Sequence, residues 1–352
     1  MNPVAILPDH RISYIDHLAP LCDLLQCPLL CTDPYIEALI QSYYPNIPTI
    51  LAQPTDFVLD SALQEFDLFI YPDFYRRYPF GFQFAEFASS HQARSIYCLH
   101  GQSDKQFNTY WIEQAADEDL ILIYGPKIQR LTEEKNLKHR LKKVIVGGNY
   151  RAQYYKKHKT FFDQKIEPWL FDKQERTTIL YAPTWVMPER ISERRQDDSS
   201  ILSVYSYVLR DLPEHFQLLV KLHPYFVKEF PDQVVQLKKM AAACNRIQFI
   251  DDCPLIYPLL QQVDVYLGDY SSIGYDFLFF DRPLIFLPTT HHVPLHDCGV
   301  VIEKQEVPRL YTIIQKHLSE DQKPFRERRK RIYLDAFGEE KPWNFLKREL
   351  ST

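Results

Sequence analysis

Glycine is scarce in this 352-residue chain, with nine residues where an average protein has about 7%. Neither G-x-G-x-x-G nor G-x-x-x-x-G-K-[ST] occurs, which argues against a dehydrogenase or kinase built on a glycine-rich phosphate loop. C-x-x-C pairs are missing too. The seven cysteines (22, 27, 31, 98, 244, 253 and 298) are odd in number and match no zinc spacing. Cys31 and Cys98, at the end of or inside apolar runs, read as buried free thiols of a reducing cytoplasm. No run reaches the ~18 apolar residues that a membrane span needs. The opening MNPVAILPDHR, with a short apolar run and an acid, does not read as a signal peptide. With 41 basic against 46 acidic residues the net charge is −5, which excludes nucleic acid as a general partner. The expectation is a cytoplasmic protein that can sit peripherally on the inner face of the plasma membrane.

What the chain does have is aromatic bulk: Phe 23, Tyr 23 and Trp 4, with hydrophobic residues at 45%. That is ample for a large core. Short apolar runs recur at 4–8, 28–32, 49–52, 68–71, 95–101, 120–125 and 143–148. They resume at 177–184, 217–224, 246–252, 263–269, 283–288 and 300–303. Most lack apolar/polar alternation, as strands buried on both faces do. Segments with helical spacing, such as 35–43, 110–116, 127–136 and 232–245, separate them. Alternating strands and helices predict an α/β protein with parallel sheets. Two sheets of about six strands fit the length better than one of thirteen. The pattern lapses over 149–176, which sets the expected domains at 1–168 and 169–324. A helical segment, 325–352, is expected to pack back across them, and 189–200 reads as an exposed loop.

In such sheets ligands bind beyond the carboxyl ends of the strands, so polar residues just after each run matter most. Five ends stand out. His100-Gly101 follows the run 95–99, with Lys105 near enough to reach a phosphate. A neutral imidazole there can accept a proton from a hydroxyl, and the alternative is a turn histidine bonded to backbone. Thr184 follows 177–180 and can bond a phosphate. Lys221 and His223 fall on one face by strand alternation and suit an anionic diphosphate, or else form a salt-bridged strand end. Gly268-Asp269-Tyr270-Ser271-Ser272 leads into an apolar helix containing Asp276, where a serine caps the helix with or without an anion. His291, His292 and His296 lie in a loop without an acidic cluster, so no metal is expected. Residues 127–159 carry eleven Lys/Arg against two Glu, and FRERRKR fills 325–331. These read either as solvated helix faces or as attraction to an anionic polymer or membrane surface.

In order, His-Gly with a lysine four residues on, Tyr-Ala-Pro-Thr, Lys-Leu-His-Pro and Asp-Tyr-Ser-Ser with its later aromatic-Asp-aromatic resemble the CDP-glycerol glycerophosphotransferases of teichoic-acid synthesis. The likeness continues through Arg282-Pro283-Leu284-Ile285-Phe286 and covers roughly the last 250 residues. It implies a GT-B architecture, two Rossmann-like domains facing a central cleft. It also implies transfer of glycerol phosphate, or a related polyol phosphate, from a CDP-linked donor to a hydroxyl of a glycan or lipid-linked acceptor, with CMP released and no cofactor. Carried over by position, His100 is the base and His223 stabilises the donor diphosphate. Thr184, Ser271 and Ser272 hold phosphate oxygens. Asp269 contacts the donor, Lys221 and Asp276 line or brace the donor pocket, and Gly101 and Lys105 contact phosphate. The chain departs from the pattern at Leu99, where the family usually has tryptophan, and over 288–298, where it has the three histidines. Two other readings stay open: a GT-B glycosyltransferase using a nucleotide sugar for surface polysaccharide, and a non-catalytic member of the family.

Overall fold

A computed structural model describes residues 2–7, 11–52, 65–73, 93–102, 104, 112–113, 115, 118–137, 139–172, 175–184, 200–289 and 291–351. Residues 189–199 of the expected exposed loop 189–200, Lys105 and most of the helical stretch 110–116 lie outside them, and Ser200, the loop's last residue, is buried. The chain divides into two compact units. One comprises Met1–Gln102, Gln106–His158 and Leu334–Thr352, and the other Ser103–Lys105 and Lys159–Tyr333.

The first unit holds seven strands: β1 Pro3–Leu7, β2 Leu29–Cys31, β3 Thr49–Leu51, β4 Leu68–Tyr71, β5 Arg94–Cys98, β6 Leu120–Ile123 and β7 Val144–Val146. All pair parallel in the order β3-β2-β1-β4-β5-β6-β7. The second unit holds β8 Thr177–Ala182, β9 Phe216–Val220, β10 Ile247–Phe249, β11 Val265–Gly268, β12 Leu284–Phe286 and β13 Val300–Val301. Its parallel order is β10-β9-β8-β11-β12-β13. Each of the thirteen apolar runs overlaps one strand, three of which begin one residue before the run. The central strands β1, β4, β6, β9, β11 and β12 are buried along their whole length, which is why they show no alternation. In both sheets the strand order reverses once, between β1 and β4 and between β8 and β11. Open parallel sheets gather ligands at such reversals.

Helices form where local signals are strong. Asp33 caps Pro34–Tyr43 by accepting from the Tyr35 N–H at 2.8 Å, with proline at the first helical position. Asn149 does the same for Tyr150–Lys157, accepting from the Ala152 N–H at 3.2 Å. The polar stretch expected to hold the domain boundary carries this helix and a second, Lys159–Ile166, and the two units meet in sequence between them, at His158 and Lys159. The helix Lys323–Phe337 starts in the second unit and ends in the first, which also takes the last helix, Trp343–Ser351. Gly125 makes this return possible. A methyl group there would overlap the backbone of Ala336 and Phe337, so only glycine lets the chain lie so close.

All seven cysteines are free, and six are buried. Burial pushes the thiols of Cys31 and Cys98 up to about 12, so neither is a nucleophile at neutral pH. Of the eleven basic residues in 127–159, at least seven are ion-paired among the described residues: Arg130 with Asp335, Lys142 with Asp119, Lys143 with Glu349, Arg151 with Asp16, Lys156 with Glu340, Lys157 with Asp23 and Lys159 with Asp163. Arg326 and Arg329 of the second cluster both reach Asp281. These charges act mainly within the fold. Among the described residues, no helix is long and apolar enough to cross a membrane.

The Arg151–Asp16 pair is buried, with Nη2 and Nε of Arg151 at 2.6 and 3.0 Å from one carboxylate oxygen. The other oxygen accepts from Tyr44 Oη at 2.8 Å. Removing one partner leaves a buried charge uncompensated. Arg151→Ala is expected to cost about 3–5 kcal/mol in urea unfolding, and the double change Asp16→Leu with Arg151→Met to recover part of the loss.

Candidate functional site

In the second unit the reversal lies between the ends of β8 and β11, and Asp269 sits there with no exposure to solvent. One carboxylate oxygen accepts from the Thr184 N–H at 2.8 Å. The other accepts from Ser200, from its N–H at 3.1 Å and its hydroxyl at 2.9 Å. Asp269, grouped from sequence with the donor-contacting residues, is therefore a brace: its acceptors are turned onto the chain itself. It ties residue 184, after β8, to residue 200, at the start of the helix Ile201–Leu209. Asp276 is also buried and accepts from Tyr257 Oη at 2.9 Å.

Ser271 caps the six-residue helix Ser272–Phe277, its hydroxyl accepting from the Ile273 N–H at 3.4 Å. Ser272 is half-buried beside it, and Thr184 is buried. Gly268 and Gly274 in this motif make room for the chain's own side chains. A methyl group at Gly268 would overlap the Tyr266 hydroxyl, and one at Gly274 would press on Leu295 and Tyr266. Burial raises the Tyr266 and Tyr181 phenols well above their ordinary range, with the Asp269 charge second. Both stay neutral around that carboxylate.

Lys221 and His223 follow β9. Lys221 Nζ donates to the Cys253 carbonyl at 2.8 Å. His223 caps the helix Pro224–Glu229, with Nδ1 accepting from the Tyr225 N–H at 3.2 Å and its ring parallel to Tyr225. With Nδ1 accepting, the proton of the neutral ring belongs on Nε2, so His223 can act as a hydrogen-bond donor without being charged.

In the first unit His100 follows β5, and its Nδ1 lies 2.7 Å from the Pro72 carbonyl at the end of β4. A carbonyl can only accept, so Nδ1 carries the proton and Nε2 is the basic nitrogen. The Tyr14 ring packs 4.8 Å from the imidazole, and Arg11 lies over Tyr14 at 4.3 Å. Arg11 also pairs with buried Asp73 at 2.6 Å, joining the ends of β1 and β4 at this sheet's reversal. His17, 6.5 Å from His100 and 2.7 Å from Tyr124 Oη, is kept neutral by burial, then by Arg151 and His100. Gly101 has φ +117°, a conformation suited to glycine. Gln102 is buried and donates to the Ala336 carbonyl. Asp104 belongs to the second unit and accepts from Tyr275 Oη. Arg11, Tyr14, His17, Asp73, Tyr124 and Ser200 belong to no motif of the sequence. Their one signal is position, since Arg11 and Asp73 lie just beyond apolar runs.

The histidine loop is ordinary packing. His292 Nε2 lies 2.9 Å from Asp297, and buried His296 stacks on Tyr270 at 5.5 Å. Among the described residues no group of three His, Cys, Asp or Glu could hold a metal ion.

Asp269→Asn, which puts an amide against three donors, is expected to destabilise the second unit by about 3 kcal/mol in urea. Burial, with His292 second, pushes His296 from 6.5 down to about 4. Its neutral ring therefore supports the fold fully above pH 6.5, and that support is lost as pH falls towards about 4. His296→Phe should flatten this part of the stability–pH curve.

Residues 140–309 match the family described as CDP-Glycerol:Poly(glycerophosphate) glycerophosphotransferase, a stretch that includes Thr184, Lys221, His223, Asp269, Ser271, Ser272 and Asp276. A teichoic acid glycerol-phosphate primase of Bacillus spizizenii is 28% identical over 170 residues, 41% of this chain and 39% of that protein. The match thus spans well under half of the curated relative. Among solved structures, the wall teichoic acid polymerase TagF superposes with TM-score 0.66 at 12% identity, covering 99% of this chain and 88% of that one. UDP-GlcNAc 2-epimerase from Neisseria meningitidis, bound to UDP-GlcNAc, gives 0.61 at 14% identity with both chains fully covered. These structural likenesses establish the fold, two parallel α/β sheets of the GT-B kind. Over residues 140–309 the chain is thus similar to the CDP-glycerol:poly(glycerophosphate) glycerophosphotransferase family.

Proposed function

We propose that the protein transfers glycerol phosphate, or a related polyol phosphate, from a CDP-linked donor to a hydroxyl of a glycan or lipid-linked acceptor. The family match supports the class of reaction. The observation that carries the chemistry is the Nδ1–H of His100 held on the Pro72 carbonyl, which leaves Nε2 as a base of fixed orientation.

In the proposed step the acceptor oxygen attacks the phosphorus that bears glycerol, and its proton passes to His100 Nε2. The bond between that phosphorus and the bridging oxygen breaks, and CMP leaves with the bridging oxygen. The Nε2–H of His223 would donate to oxygens of the donor diphosphate, where negative charge builds up. Thr184, Ser271 and Ser272 would hold phosphate oxygens, with Gly101 and Lys105 as further phosphate contacts. Lys221, engaged by the Cys253 carbonyl, would supply a nearby positive charge. Asp269 would act by holding the strand end, and Asp276 by tying the helix Ser272–Phe277 to Tyr257. No metal or cofactor enters this scheme. A peripheral position at an anionic membrane would bring a lipid-linked acceptor within reach, although most of the basic run is ion-paired within the fold.

Incubation with CDP-glycerol or CDP-ribitol and a lipid-linked glycan acceptor should release CMP. His100→Ala and His223→Ala should each slow release by about 10²-fold or more with unchanged thermal unfolding. Consumption of UDP-sugars with no CMP released from either CDP donor would replace this reading with a glycosyltransferase. Unaltered release in both histidine variants would remove the assigned roles.

A further inference from the structure

The first unit contains a pocket of about 500 Å³, within the usual range for small-molecule sites. It lies between the helix Tyr150–Lys157 and the segment 340–343 that leads into the last helix. The strand ends that carry His100 take no part in it.

Its chemistry has two halves. One is aromatic. Tyr44, Tyr154 and Trp343 form a row of rings, with centroids 6.2 and 6.0 Å apart and planes 27° apart at each step. The row is anchored from below, because Tyr44 Oη donates to Asp16, which Arg151 also holds. Tyr154 is buried and Trp343, the outermost ring, is half-buried, so an indole on a fixed base remains partly open to the pocket. The other half is cationic: three lysines line the pocket against one glutamate. Lys156 is held by Glu340 at 3.0 Å, and Lys157 turns to Asp23 at 3.5 Å. Lys341 is half-buried and pairs with no carboxylate among the described residues, lying instead 5.8 Å from the Phe345 ring centre. Gln153 also lines the pocket, and its amide nitrogen is shielded from solvent with no acceptor. An unbonded donor costs about 1–3 kcal/mol, which a ligand oxygen would recover once the Gln153 side chain turns its amide into the pocket.

We propose that this pocket binds a phosphorylated sugar, at a place separate from the residues assigned to group transfer. The apolar C–H face of a sugar ring would lie on Trp343, its phosphate would meet Lys341 with Lys156 and Lys157 behind it, and a ring hydroxyl would accept from Gln153. A neutral sugar would leave the cationic half unused, and bare phosphate would leave the indole uncovered. Both halves are needed for tight binding.

Calorimetric titration of the whole protein with glucose 1-phosphate tests this. Saturable binding is expected, at least tenfold tighter than for glucose or inorganic phosphate, and it should persist in saturating CDP-glycerol. Lys341→Glu and Trp343→Ala should each weaken it about tenfold or more with an unchanged thermal unfolding midpoint. Gln153→Leu, which keeps the volume and removes the donor, should weaken it less. Absence of saturable binding, displacement by CDP-glycerol, or equal affinity in both Lys341→Glu and Trp343→Ala would overturn the proposal. Because CMP release plays no part in the readout, it can succeed or fail independently of the transfer reaction.

Discussion

A buried carboxylate with three donors around it shapes the candidate donor site. Parallel strands end in backbone N–H groups that need partners, and at the reversal of the second sheet Asp269 supplies them for Thr184 and Ser200. An isolated charge at that depth would cost several kcal/mol, so it persists only because its hydrogen bonds are complete. At the same topological place in the first sheet a buried aspartate is held by a side chain instead. Asp73, beyond its fourth strand, is buried and pairs with Arg11, beyond its first. In both units an aspartate past the fourth strand ties that strand end to its surroundings, and the histidines assigned to chemistry are positioned by backbone groups nearby.

The shortage of glycine follows the same logic. Phosphate-binding loops use glycine so that backbone can approach a ligand. Here Gly268 and Gly274 yield their space to Tyr266 and Leu295, and Gly125 yields to the returning C-terminal chain. Close approach is spent on internal packing, which suits a protein so rich in aromatic side chains. In the proposed reaction, anion recognition would then fall to imidazoles, hydroxyls and lysines.

The fold was largely legible because strands buried on both faces announce themselves as unbroken apolar runs, and thirteen such runs became thirteen strands. The division into units was less so. The stretch 149–176 lacks strands, but it is filled by two helices that fall to different units, something no periodicity reveals. At the site, position beyond a strand identified His100, Thr184, His223 and Asp269 correctly as strand-end residues. Position alone could not tell which way Asp269 turns, since a carboxylate facing a ligand and one collecting backbone N–H groups look alike in sequence. The pairing of His100 with Pro72, and of Arg11 with Asp73, spans tens of residues and has no motif. The ion pairs of the basic run were hidden for a related reason, because their counter-charges lie far off in the chain, at Asp16, Asp119, Asp335 and Glu349.

The central claim is that a CDP-linked donor is held at the strand ends tied together by Asp269. Amide hydrogen exchange with and without CDP-glycerol addresses it directly. The account predicts slowed exchange in peptides spanning 177–184, 220–226 and 268–277, with 150–157 unchanged. Slowed exchange confined to the first unit, or none at any of these strand ends at saturating CDP-glycerol, would contradict it.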